Sequence, residues 1–177
     1  MKKGFTLIEL SIALAIIAII GALLSIIIVN YPKKIENTYI NVLHENQKVL
    51  MEAVVSIVFD ENLPSYLSTD QNKLRQALRD KLKDTEIEIY NPLTKDNSII
   101  ATTETRYHDS AAVIISKRKT TIKTAINNPK KYLYPLNASE NAKKKFDGAL
   151  IILICEDGYI FYGYLHGKVL NIETMRF

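Results

Sequence analysis

A carboxylate at the edge of a long apolar run constrains this chain more than any other feature. Residues 10–29 carry no charge, and about 20 such residues suffice for a helix to cross a hydrocarbon core of about 30 Å. Glu9 stands just ahead of them, within Gly4-Phe5-Thr6-Leu7-Ile8-Glu9-Leu10 and after the basic stub Met1-Lys2-Lys3. An isolated charge in hydrocarbon costs several kcal/mol, so Glu9 needs a cation. A cut after Gly4 would create one. The new amino group on Phe5 would stand four residues before Glu9, on the same face of a helix.

The run is too long for a cleaved secretory signal and lacks the small-residue site expected at its far end. Lys2 and Lys3 favour a cytoplasmic N-terminus, a bias blunted by Lys33 and Lys34 on the other side. Ala13, Ala15, Ala18, Gly21, Ala22 and Ser25 would let other helices approach closely.

Together, the basic leader, Gly4, Phe5, Glu9 and the apolar helix resemble the class III signal peptide of type IV prepilins and pseudopilins. The resemblance is close from Lys2 to about Val29 and only architectural beyond it. It implies that a prepilin peptidase cuts between Gly4 and Phe5 and methylates Phe5. It implies further that Glu9 pairs with the N-terminus of a neighbouring subunit and so fixes axial register. The implied partners are other pilin subunits, the prepilin peptidase, a pilus assembly platform and, before assembly, the cytoplasmic membrane. Two departures stand out. Cys155 is the sole cysteine, so the C-terminal disulfide of many pilins cannot form, and the first proline, Pro32, lies beyond the apolar run.

Bulk composition adds limits. The chain has 177 residues, 23 basic and 19 acidic, for a formal charge of +4. Loss of Lys2 and Lys3 with the leader would leave 21 against 19, too near neutrality to suggest nucleic-acid binding from bulk charge. The length suits one globular domain plus an extended element. The expected divisions are a leader (1–4), a membrane or filament-core helix (5–29), an amphipathic continuation (30–59) and a head (60–177).

After Pro32 the pattern becomes amphipathic. Ile35, Tyr39, Val42, Leu43, Val49, Leu50, Ala53, Val54 and Ile57 recur at helical steps and predict a core-facing stripe to about Phe59. Residues 60–64 should stop the helix. Asp70 should cap a second helix over 71–83, with Leu74, Leu78 and Leu82 inward. Residues 85–90, 98–105, 110–116 and 120–125 read as extended or strand. The apolar run 150–155 suits a strand covered on both sides. Asp157-Gly158 and His166-Gly167 are turn signals that bound strands at 159–165 and 169–172. The expected fold class is α+β, a long spine helix packed against an antiparallel sheet.

No catalytic or metal-binding constellation emerges, so neither an enzyme nor a cofactor is expected. His44, His108 and His166 are far apart, without ligand spacing to one another or to Cys155. Adjacent His108, Asp109 and Ser110 would not face one another as a triad. Cys155, in an apolar strand, reads as a buried small hydrophobe. Two basic triplets, Lys117-Arg118-Lys119 and Lys143-Lys144-Lys145, with Lys130, Lys131 and Tyr132, could form one face for DNA or an anionic cell surface. The function read from the sequence is a pilin-like structural subunit, major or minor. The alternatives are a minor pilin acting as an adhesin or DNA-binding subunit, and a pseudopilin of a secretion or competence system.

Overall fold

A computed structural model describes residues 7–59 and 70–177, the side chains of 26–30 excepted. The proposed Gly4–Phe5 cut and the helix stop at 60–64 lie outside the described residues. Contacts divide the chain into two units, Met1–Thr38 and Tyr39–Phe177. One helix, α1 (Leu7–Val58, 52 residues), contributes to both, with Pro32 inside it.

In the first unit, Leu7–Ser25 forms a 19-residue stretch of mean hydropathy 2.7, long and apolar enough to cross a membrane. Its large apolar side chains, from Leu7 at 86% to Ile20 at 50%, all face outward. Exposed apolar surface of that extent requires lipid or protein to cover it. The hydroxyls are satisfied locally: Ser11 donates to the Ile8 carbonyl at 2.9 Å and Ser25 to that of Gly21 at 2.7 Å. Such back-bonding lets a hydroxyl sit in an apolar medium without an external partner.

The second unit is a three-layer α+β head. Its sheet has the order β1 (Ile99–Ala101), β2 (Val113–Lys117), β3 (Leu150–Cys155), β4 (Gly158–Leu165) and β5 (Lys168–Arg176). On one face pack Leu43, Leu50, Ala53, Val54 and Ile57 of α1 and Leu74, Leu78 and Leu82 of α2 (Gln71–Asp84). Tyr39, Val42 and Val49 lie half-buried at the stripe's margin. The other face carries α3 (Ile122–Asn127), α4 (Pro129–Tyr132) and α5 (Glu140–Lys145), with Ile122, Ala125, Leu133, Tyr134 and Phe146 in its core. Both layers explain why every residue of β3 and β4 is buried. Within this layer the buried Tyr162 hydroxyl donates to the Tyr134 carbonyl at 2.8 Å.

The sheet is mixed, which corrects the antiparallel expectation. β3–β4 and β4–β5 are antiparallel hairpins, but β1–β2 and β2–β3 run parallel. Residues 102–112 and 118–149 cross over the sheet instead of reversing tightly, and a crossover returns the chain in the same direction. Three local readings change with it. The expected strand at 120–125 is largely α3, because Thr121 accepts from the Thr124 N–H and Asp157 Oδ1 accepts from the Ile122 N–H at 2.7 Å. Two satisfied helix-start donors outweigh the β-branched composition there. Residues 85–90 stay outside the sheet, since Thr85, Glu86 and Ile87 are spent closing α2 with bonds to Lys81, Lys83 and Leu82 carbonyls. Extended chain at 98–105 shortens to β1, followed by a 3-10 turn over Thr102–Tyr107.

Both hairpin turns exist, the first one residue earlier than expected. Cys155 pairs with Gly158, leaving Glu156-Asp157 as the loop. Gly158 is required there by a close approach: a Cβ would lie 2.0 Å from the Met175 carbonyl oxygen, and its φ is +144. His166-Gly167 makes the second turn with φ of 49 and 79. That pair of left-handed residues matches the twist of tight hairpins.

Candidate processing and assembly site

The helix begins by Leu7, which places Glu9 in its first turn, exposed between Leu7, Ile8, Leu10 and Ile12. A carboxylate near a helix N-terminus is favoured by the helix dipole. Its helix neighbours Leu7, Ile8, Leu10 and Ile12 are apolar and exposed, so the first turn carries a carboxylate within a largely apolar stretch. Gly4 and Phe5, the residues expected to flank the cut, lie outside the described residues. Along the same helix, a Cβ added at Gly21 would meet nothing within 4 Å. Among the described residues the glycine therefore serves no packing, and its missing side chain leaves room for another helix.

The two basic triplets are not brought together. Lys117 ends β2 opposite Ile154, and the Arg118 N–H donates to the Ile154 carbonyl at 3.0 Å, at the finishing ends of β2 and β3. Lys143, Lys144 and Lys145 close α5, just ahead of the starting end of β3. Lys143 pairs with Glu140 and Lys145 with Asp109, each at 2.6 Å. Hydrogen bonds from these ammonium groups hold both carboxyls below the usual range. Lys144 is exposed and makes no ion pair among the described residues.

Cys155 is buried on the crossover face of the sheet. Burial first, and then the charges of Asp157 and Glu156, push its thiol up to about 12. A thiol held protonated is a poor nucleophile and a poor metal ligand. Among the described residues, no three His, Cys, Asp or Glu side chains are placed to hold a metal ion.

Two polar residues that organise the head were not read from the sequence. Gln47 is 2% exposed, in the middle of the inward stripe of α1. Its position three residues before Leu50 and four after Leu43 was a detectable signal, a polar side chain at a core step. Asn91 is fully buried and makes four side-chain hydrogen bonds. Its Nδ2 donates to the Ala111 and Asp147 carbonyls, and its Oδ1 accepts from the Leu93 and Thr94 N–H groups. In sequence it was only a turn residue before Pro92.

Against known families, a model of the prokaryotic N-terminal methylation motif matches residues 1–25. No curated protein and no solved structure matches the chain. The chain therefore carries a type IV pilin-like class III signal peptide, fused through α1 to an α+β head.

Proposed function

We propose that this prepilin-type chain is a structural subunit of a type IV pilin-like filament. The observation that carries the reading is the methylation motif at 1–25 leading into a single helix, apolar and uncovered at its start and the core of a folded head at its end. Prepilin peptidase cuts between Gly4 and Phe5 and methylates Phe5. Residues 7–25 then hold the subunit in the cytoplasmic membrane, N-terminus inside. On assembly the apolar helices leave the bilayer and pack against one another in the fibre core, trading lipid for protein contact.

Glu9 acts in that exchange. Its carboxylate meets the Phe5 amine of a neighbouring subunit, neutralising both groups in a low-dielectric setting and setting the axial step between subunits. The outward-facing small residues permit the close helix approach this geometry needs. The filament role is common to a shaft-forming subunit, a scarce one and a pseudopilin.

Two substitutions test the reading. Gly4 replaced by a bulky residue should leave uncut precursor in the membrane, and efficient processing of that variant contradicts the cleavage site. Glu9→Val should be processed yet fail to enter sheared fibres. Normal incorporation of Glu9→Val contradicts the register role.

A further inference from the structure

We propose that the heads associate head to tail, an acidic ridge on one copy against a cationic crossover on the next. The inference deepens the subunit reading above and rests on it. The chain's charge is nearly balanced overall but segregated in space. Between positions 117 and 131 there are six lysines and arginines and no carboxylate, a net of +6. The whole chain is +4, so everything else sums to −2.

On the cationic side, Arg118, Lys119, Lys123, Lys130 and Lys131 are exposed and make no ion pair among the described residues. Arg118 and Lys119 follow β2 at the finishing ends of β2 and β3, where Arg118 bonds Ile154 and Asp157 holds the start of α3, which carries Lys123. Lys130 and Lys131 follow on α4, which packs against α3. Ile126, 36% exposed, stands among them. Of the nearby carboxylates, Asp157 is used in holding α3 and Asp70 in capping α2 near Lys117, which leaves Glu156 exposed.

The ridge comprises Asp84, Glu86 and Glu88, all exposed, against the single exposed Lys83 beside them, with Ile87 at 40% and Tyr90, under Lys95, at 37% between and beside them. A groove of about 320 Å³ next to it is lined by Ile87, Glu88, the residues that lead into β1, and Arg79, whose guanidinium is used on the Ile99 carbonyl. Asn91, just after the ridge, bonds to carbonyls immediately ahead of β2 and β3. Because β1, β2 and β3 are parallel, their starting ends lie together. The ridge is therefore at one end of these strands and the crossover cluster at the other. The lysines of α5 share the starting end, where Glu140 and Asp109 take Lys143 and Lys145 and Lys144 is the exposed cation that remains.

Surfaces so placed cannot neutralise each other within one head, yet each complements the opposite end of an identical copy. That is a heterologous contact, which propagates as an open filament when its rotation does not close. Exposed pairs add little affinity one by one and are screened by salt, but complementary clusters steer association and fix orientation. A head built to bind an external polyanion would gain nothing from the acidic ridge.

The test uses the full chain in fibre-producing cells, with membrane levels of each variant measured beside fibre yield. Lys123→Glu with Lys130→Glu reverses one face, and Glu86→Lys with Glu88→Lys reverses the other. Either reversal should lower fibre yield several-fold, and all four changes in one chain should restore it. In otherwise unaltered chains, Lys123→Cys mixed with Glu88→Cys should give oxidative cross-links between copies. Undiminished fibre yield from both reversals, with no cross-link, overturns the contact while leaving filament assembly intact. Undiminished fibres that lose retention of added DNA on the lysine reversal overturn it also, and assign the crossover to a polyanion. If the unaltered chain never appears in fibres, the filament reading itself falls, and this contact with it.

Discussion

Gln47 on the spine helix donates its side-chain amide to the carbonyl of Asn171 at 2.6 Å and to that of Phe161 at 3.3 Å. The two acceptors flank an irregularity in the β4–β5 ladder. Its register steps from Phe161 opposite Glu173 to Gly163 opposite Leu170, so β5 holds one extra residue there. Asn171, at φ 46, absorbs the bulge, and its Nδ2 lies 3.1 Å from His44 Nδ1 one turn earlier on α1. A bulge leaves strand carbonyls without ladder partners, and the helix supplies the missing donor.

Gln47→Ala should therefore cost about 1–3 kcal/mol, the range for stranding buried acceptors. His44→Ala, at a half-buried site, should cost much less. Chemical denaturation of the detergent-solubilised protein distinguishes the two. Equal losses would mean that the bulge draws its support from packing and not from the Gln47 amide.

Asn91 is the second internal staple. Its side chain ties the loop at 91–96 to the chain ahead of β2 and β3, and its Oδ1 would lie 2.4 Å from a Cβ on Gly148. Asn91→Ala should lower stability by about 3 kcal/mol through several buried groups left unpaired. Asn91→Asp should do at least as much harm, since both donors vanish and a charge is buried among carbonyls. The same denaturation series measures both, and a loss below that of Gln47→Ala would contradict the hub role.

Acid should act on α2 through Asp70. Hydrogen bonds from the Lys73 and Asn72 N–H groups hold its carboxyl below the ordinary 3.8. The folded value is depressed, so the stabilisation is present above 3.8 and is lost as pH falls through the lower folded value. The side chain is exposed, and solvent screening keeps the effect modest. Asp70→Asn keeps a neutral cap and should remove this part of the acid dependence, whereas Asp70→Ala should cost about 1 kcal/mol at neutral pH. Stability followed by circular dichroism between pH 2 and 7, as an order-of-magnitude window about the carboxylate range, shows whether the variants diverge as stated.

Where one periodicity dominated, the sequence was readable. The stripe Leu43, Leu50, Val54 and Ile57, the Asp70 cap and the two hairpins all appear in the structure. Misreadings came where local composition competed with distant groups. Thr121 to Ala125 looks like strand, but a carboxylate from residue 157, far along the chain, bonds to the start of α3 and helps hold the helix. Parallel pairing was invisible for the same reason, since no short-range signal tells a crossover from a hairpin loop. The basic triplets looked like one face because sequence does not tell which end of a strand a loop adorns. The N-terminal motif was legible for the opposite reason: its chemistry is carried by contiguous residues.

That motif is also the most exposed point of the account. Mass spectrometry of the N-terminal peptide, from the membrane fraction and from sheared fibres, tests it directly. The expected chain begins at Phe5 and carries one methyl group on its amino nitrogen, in both fractions. An intact Met1 or a cut beyond the apolar helix would contradict it.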